Sequence, residues 1–415
     1  FVCLDRANCA RDYVKQADLS QWDGIVVVSG DGLLFEVFNA LMTRPDWKKA
    51  VKIPVGVVPG GSGNGLAKTI SYAAGEPYDA TAVIPSVLSI ICGRVAPMDL
   101  VRVQTPTECF YSFLSIGWGL MADIDIESER LRAIGEARFA VWAVIRAIGL
   151  RKYKGKLSYL PVLGYKPDQP AKIITEPKPK RSKTLDSQLA WSDNPTLEEA
   201  EQETFPIFRS KSFGANDPDI EDEKKTVRLL KFSYSGEEFV ESPPLAVIGS
   251  LVDQPYVEEN LQNIPHIHCT EGRGDTDNLE LQKEESVTEY LCPPLDNPVP
   301  DDWVVVDDEF VLVYVCEQTH ISTDVLFAPD AKLDDGIMWL IMIRAGVSRA
   351  QVIYFLACLQ TGDHVHIPYV DVIPIQAFRL EPHRTDSFLT VDGEVIPCCT
   401  IQAEVLPSVA RVMSR

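Results

Sequence analysis

The chain has 415 residues, 46% of them hydrophobic, and a formal charge of −21. That length accommodates two domains with substantial cores, and the acidic balance excludes nucleic acid as a partner, because affinity for phosphate backbones rests on clustered Lys and Arg. No apolar run reaches the roughly 18 residues of a membrane span, so the chain reads as cytoplasmic with at most a peripheral association with membranes. The ten cysteines contain no C-x-x-C pair and read as reduced thiols. The chain opens at Phe1 in mid-pattern, which is expected of an N-terminally truncated sequence.

In chain order, Trp22 to Val28 is a short apolar, β-branched run that suits a strand buried in a parallel sheet. After a Gly-rich turn, Leu33, Leu34, Val37, Phe38 and Leu41 fall at helical spacing and form one apolar stripe. The pattern repeats with a strand from Ile53 to Val58, a turn from Pro59 to Gly65 and a helix starting at Leu66. Two strand–turn–helix units in succession predict an α/β domain with a doubly wound parallel sheet over residues 1–93, whose ligands lie at the carboxyl ends of the strands. From 94 to 415 the text is strand-rich: Met98 to Val103, Phe110 to Ile116, Leu157 to Leu160, Trp303 to Val306, Phe310 to Cys316, Ile337 to Ile343 and Val372 to Leu380. Phe388 to Val391 and Glu394 to Ile396 flank Asp392-Gly393, a hairpin signal. This region is expected to be an antiparallel β-sandwich, with helices at Ile134 to Leu150 and Ser348 to Leu359. Residues 165–300 interrupt it with an acidic insert that is expected to be disordered; between 166 and 296 there are 14 Lys/Arg against 27 Asp/Glu. Leu245 to Leu251 is a candidate isolated strand within it.

Two turns carry chemistry. In Ser29-Gly30-Asp31-Gly32 the glycines admit close approach of a ligand, and the following helix start favours an anion. The same tetrapeptide is equally a tight turn capped by Asp31. Gly60-Gly61-Ser62-Gly63-Asn64 offers consecutive backbone N–H donors and a hydroxyl at a helix start, a suitable cradle for polyphosphate. Neither turn matches the Walker A or G-x-G-x-x-G patterns, which disfavours hydride chemistry on a dinucleotide.

Those two turns, with Glu36 and Asn39, resemble the catalytic domain of the diacylglycerol kinase superfamily. The segments Ala122 to Glu129, Gly135 to Phe139, Arg344 to Arg349, Ala377 to Pro382 and Val391 to Glu394 are similar, more narrowly, to sphingosine kinases, and together they span nearly everything outside the insert. The resemblance implies an ATP-dependent lipid kinase acting on the primary hydroxyl of sphingosine or a related sphingoid base, with Asp31 as general base. It implies nucleotide contacts from Ser29, Gly30, Gly32, Glu36, Gly60, Gly61, Ser62, Gly63 and Asn64, from Arg132 and Arg138 on the phosphates, and from Asp392, Gly393 and Glu394 in the second domain. It places Asp125 on the lipid amine, with Ser115, Leu120, Met121, Ile124, Phe139, Leu340 and Ile341 also on the lipid side; core packing accounts equally well for any one of the apolar residues. Mg2+ is expected with ATP, its protein ligands unassigned. A kinase of ceramide or diacylglycerol and a non-catalytic lipid-binding scaffold are the alternatives. Residues 138–156 read as a basic amphipathic helix with a basic tail, suited to an anionic membrane or a calmodulin-type groove, or else packed on its own domain.

Overall fold

A computed structural model describes residues 2–4, 6, 8–78, 82–128, 130, 137–165, 246–250 and 290–415. The first part alternates strands and helices: β1 (Val2–Leu4), α1 (Cys9–Gln16), β2 (Ile25–Ser29), α2 (Asp31–Met42), α3 (Trp47–Ala50), β3 (Val55–Pro59), α4 (Gly65–Ala73) and α5 (Val83–Cys92). Strands β2 and β3 run parallel in the register Ile25↔Val55 to Ser29↔Pro59, so their carboxyl ends, and the two Gly-rich turns, finish side by side. The expected apolar stripe of α2 is buried with Val27, Val55 and Leu66 in the first core.

The strand-rich part comprises β4 (Arg94–Gln104), β5 (Cys109–Ser112), β6 (Ser115–Gly119), α6 (Leu120–Ser128), α7 (Ala137–Ile148), β7 (Tyr153–Pro161), β8 (Ala246–Ser250), β9 (Val304–Cys316), β10 (His320–Ser322) and β11 (Val325–Leu326). It ends with β12 (Met338–Arg344), α8 (Arg349–Cys358), β13 (Asp371–Pro382), β14 (Leu389–Val391), β15 (Glu394–Ile396) and β16 (Ile401–Ser414). A capping box between Ser348 and Gln351 starts α8 where expected. Asp392 and Gly393 take φ of 51° and 83°, the left-handed pair that a two-residue hairpin needs.

Several boundaries differ from expectation. The run Phe110 to Ile116 is two strands, β5 and β6, broken at Phe113-Leu114, where backbone amides turn to a side-chain partner instead of a neighbouring strand. Trp303–Val306 and Phe310–Cys316 merge into β9, because the charged residues Asp307 to Glu309 between them still pair with β7. The candidate strand at 245–251 is β8; it is not isolated but lies parallel between β1 and β2. The rest of the acidic insert, 166–245 and 251–289, lies outside the described residues. The two expected domains share one 14-stranded sheet: β16 pairs with β3 through Val412↔Val55 and with β4 and β13 along its length.

Candidate active site

The turn after β2 and the turn after β3 touch backbone to backbone. A Cβ on Gly61 would fall 2.4 Å from the Gly30 Cα, so only glycine lets them meet. Asn64 has φ 55°, and its side-chain amide closes the second turn by accepting from Gly61 N–H at 2.9 Å and donating to Gly61 O at 2.5 Å. The N-terminus of α4 then points at Asp31: Gly65 N–H donates to Oδ2 at 2.8 Å and Leu66 N–H to Oδ1 at 3.4 Å. Burial outweighs these bonds and raises the Asp31 carboxyl to about 6.

This geometry redistributes the expected phosphate cradle. Gly60 N–H is spent on Ser29 O, Gly61 N–H on Asn64, and the first amides of α4 on Asp31. Ser62 is exposed at the crest of the turn, and Gly63 O accepts Thr323 N–H at 2.9 Å.

Beside Gly32 opens a cavity of about 590 Å3, walled by Asn8, Arg11 and Lys15 from α1 and its approach, by Phe35 and Glu36 from α2, and by Glu394 from the hairpin. Glu36 caps the start of α1 from this wall, accepting Asn8 N–H at 2.9 Å and Arg11 N–H at 3.4 Å. Asn39 is structural: its amide ties α2 to the Tyr111 backbone of β5.

The β14–β15 hairpin bridges this cavity to α6. A Cβ on Gly32 would lie 3.2 Å from Glu394 Oε1, and one on Gly393 would lie 3.8 Å from Asp125 Oδ2. Asp392 itself does not reach the cavity. Its carboxylate is buried and accepts Ser112 Oγ–H and the N–H groups of Phe113, Leu114 and Ser115, so its work is to fix the entry to β6. Burial raises it to about 6.

Asp125 sits on a helix and not in a solvated loop. Its neighbours Asp123 and Glu127, two residues away on either side, turn inward: Tyr153 Oη–H donates to Asp123, while Arg146 and Trp142 Nε1–H donate to Glu127. Helical spacing carries Asp125 to the opposite side, toward Gly393. Leu120, Ile124 and Ile341 are buried in one cluster, with Met121 at its edge. Leu340 belongs to a different core, with Trp118 and Met338, because consecutive residues of β12 face opposite ways. Arg132 lies outside the described residues, as do the side chains of Arg138 and Phe139, whose backbone belongs to α7.

Residues 2–103 match the diacylglycerol kinase catalytic domain, and residues 300–414 match the YegS C-terminal NAD kinase beta sandwich-like domain. The chain is 30% identical to sphingosine kinase 1 of Rattus norvegicus over 98% of its own length and 80% of that protein. The chain belongs to the sphingosine kinase family. It is also 33% identical to human sphingosine kinase 2, over all of its own length and 65% of that relative, and 42% identical to sphingosine kinase 2 of Arabidopsis thaliana, over 93% of its own length and 60% of that protein.

Within this sphingosine kinase frame, three features escaped sequence reasoning. Arg11 and Lys15 bring cations to the cavity wall, yet in sequence they are two charges four residues apart on α1 with nothing local to aim them at a ligand. The Glu127–Arg146 pair joins residues nineteen positions apart on two helices, which no local spacing reveals. Tyr314 places its hydroxyl 2.9 Å from Ser115 Oγ, though it reads as one more core aromatic in an apolar strand.

Proposed function

We propose that this member of a lipid kinase family transfers the γ-phosphate of ATP to the primary hydroxyl of sphingosine or a closely related sphingoid base, giving the 1-phosphate. The observation that carries the reading is Asp31, a carboxylate raised to about 6 and held by the α4 amides next to Gly32, which lines a cavity that the hairpin links to Asp125. Asp31 accepts the proton of the lipid hydroxyl as its oxygen attacks the γ-phosphorus, and the bond from that phosphorus to the ADP oxygen breaks. Asp125 pairs with the ammonium of the base and fixes the hydroxyl one carbon away. The 590 Å3 cavity has the size for a nucleotide; Arg11 and Lys15 on its wall can meet phosphate, Glu36 and Glu108 line it as well, and Glu394 faces Gly32 across its mouth. Arg132 and Arg138 belong to this assignment by resemblance alone. Mg2+ supplies charge neutralisation on the phosphates when bound; among the described residues no group of three His, Cys, Asp or Glu converges on a metal-sized site, and no step is assigned to it.

The α7 surface favours peripheral membrane contact. Val141, Val144, Ile145 and Ile148 are 44–60% exposed at i, i+3, i+4 and i+7, while Arg146 turns inward to Asp123 and Glu127 and the exposed Arg151 pairs with Asp123. Lys154 and Lys156 pair with Glu309 and Glu381. This outward apolar stripe suits insertion into a lipid surface. Among the described residues no helix is long and apolar enough to cross a membrane.

Incubation with radiolabelled ATP and sphingosine tests the reading. Labelled sphingoid phosphate is expected from wild type and none from Asp31→Asn, with KM for sphingosine raised in Asp125→Asn. Full activity of Asp31→Asn would overturn it, and an unchanged KM in Asp125→Asn would transfer the assignment to an acceptor lacking the amine, such as ceramide or diacylglycerol.

A further inference from the structure

Side chains on β9 alternate between two cores. Val313 and Val315 face the one that holds Trp118 and Phe378, whereas Leu312, Tyr314 and Cys316 face the cluster of Leu120, Ile124, Phe327 and Ile341. A tyrosine in that second row is chemically conspicuous, because phenylalanine would fill the same volume without a hydroxyl to satisfy. The ring is held firmly: it is 8% exposed, its centroid lies 4.7 Å from that of Phe327, and its edge rests on Gly117, where a Cβ would come within 2.7 Å. The hydroxyl is thereby fixed 2.9 Å from Ser115 Oγ. Burial, and less so the nearby Asp125 and Asp392 carboxylates, push the phenol well above its usual range, so it remains a neutral donor and acceptor.

The order of groups along a long-chain base decides what this pair meets. From the reacting end come the C1 hydroxyl, the C2 amine, the C3 hydroxyl and C4, and beyond them hydrocarbon. On the reading proposed above, C1 belongs to Asp31 and C2 to Asp125. The Tyr314 hydroxyl, on Ser115, lies close enough to Asp125 to feel its charge, and its ring belongs to the cluster of Leu120, Ile124, Phe327 and Ile341, so the pair stands where polar groups give way to apolar ones. We propose that Tyr314 Oη receives a hydroxyl on C4 of the base while Ser115 takes the C3 hydroxyl, which makes the pocket selective for trihydroxy long-chain bases. This inference rests on the lipid assignment of the preceding section. A buried phenol set against a bare methylene forgoes a hydrogen bond it makes with the hydroxylated base, and sites built around a substrate hydroxyl discriminate against the analogue that lacks it.

The test compares kcat/KM for 4-hydroxysphinganine and sphinganine, saturated bases differing only in that hydroxyl, in the same detergent micelles. Wild type is expected to prefer the hydroxylated base. Tyr314→Phe should lower that preference about five- to tenfold, the effect of one buried neutral hydrogen bond, whereas Ser115→Ala should weaken use of both bases alike. If the Ser115–Tyr314 contact served packing alone, Tyr314→Phe would lower the melting temperature and leave the ratio within about twofold of wild type, and that result overturns the proposal while both bases are still phosphorylated. A wild type that phosphorylates neither base overturns the underlying lipid assignment and the proposal with it.

Discussion

Asp31 sits between opposing influences, desolvation that favours its neutral form and α4 amides that favour its anion, with a balance near 6. At neutral pH it is ionised and able to accept a proton. As pH falls through about 6 it becomes protonated, so kcat/KM should drop by about tenfold per unit below that point; a profile flat down to about pH 5 would remove it as the base. The same raised value means that the folded chain holds this proton more tightly than the unfolded one. Its contribution to stability therefore worsens as pH climbs from 3.8 to about 6 and stays unfavourable above. Asp31→Asn removes that cost, so activity should fall at least about a hundredfold with no loss of melting temperature at pH 7.5. A parallel fall in melting temperature would instead mark Asp31 as a turn cap. Asp392 shares the raised value but has the opposite role. Asp392→Ala strands one hydroxyl and three amides in the interior and should cost about 3 kcal/mol in denaturant unfolding. Sequence could name both aspartates, yet it could not tell a carboxylate held by two helix-start amides from one held by a hydroxyl and three amides in the interior, because both lie beside glycines.

At the scale of elements, apolar period located β2, β3, β7, β12 and β13 and the stripe of α2, since each buries one continuous face. It missed β16, whose fourteen residues carry Glu404, Pro407 and a Ser408 with φ 53°. Those residues read as a breaker and a turn, but Glu404 is satisfied internally by Arg102 at 2.8 Å, and the irregularity between Leu406 and Ala410 absorbs the other two. Helix α7 was legible as amphipathic while its orientation was not, because the stripe and the basic residues could each have faced inward. Trp142 and Arg146 settle it by locking onto Glu127 of α6. Glu127→Gln should therefore loosen α7, costing about 2–4 kcal/mol as a partly buried pair is broken, with faster hydrogen exchange confined to α6 and α7. Val144→Gln with Ile145→Gln changes only exposed positions, so it should weaken binding to vesicles while sparing phosphorylation of detergent-dispersed substrate; unchanged vesicle binding would place the membrane contact elsewhere.

For the described fold as a whole, composition and grammar indicate two halves, an α/β part and a strand-rich part. What no local pattern conveys is that the last strand joins them. Val412 is fully buried in the first core, pairs with Val55 of β3 and with Ala96 of β4, and lies on the strand whose earlier residues pair with β13. Long-range pairing of this kind has no signature in sequence spacing, because residue 412 and residue 55 meet only after everything between them has folded. The proposed catalytic geometry depends on the joint: Asp31 belongs to the α/β part, Asp125 and the hairpin to the other, and their relative placement is only as firm as the sheet beneath them. Val412→Asp inserts an uncompensated charge at that joint, a change expected to cost about 3 kcal/mol or more. Amide exchange should then accelerate together in β2 and β13, and KM for the sphingoid base should rise even though no residue near the lipid has changed. Were exchange to quicken in β2 and β3 alone, the halves would be stable independently, and the alignment of Asp31 with Asp125 would have to come from the β14–β15 hairpin.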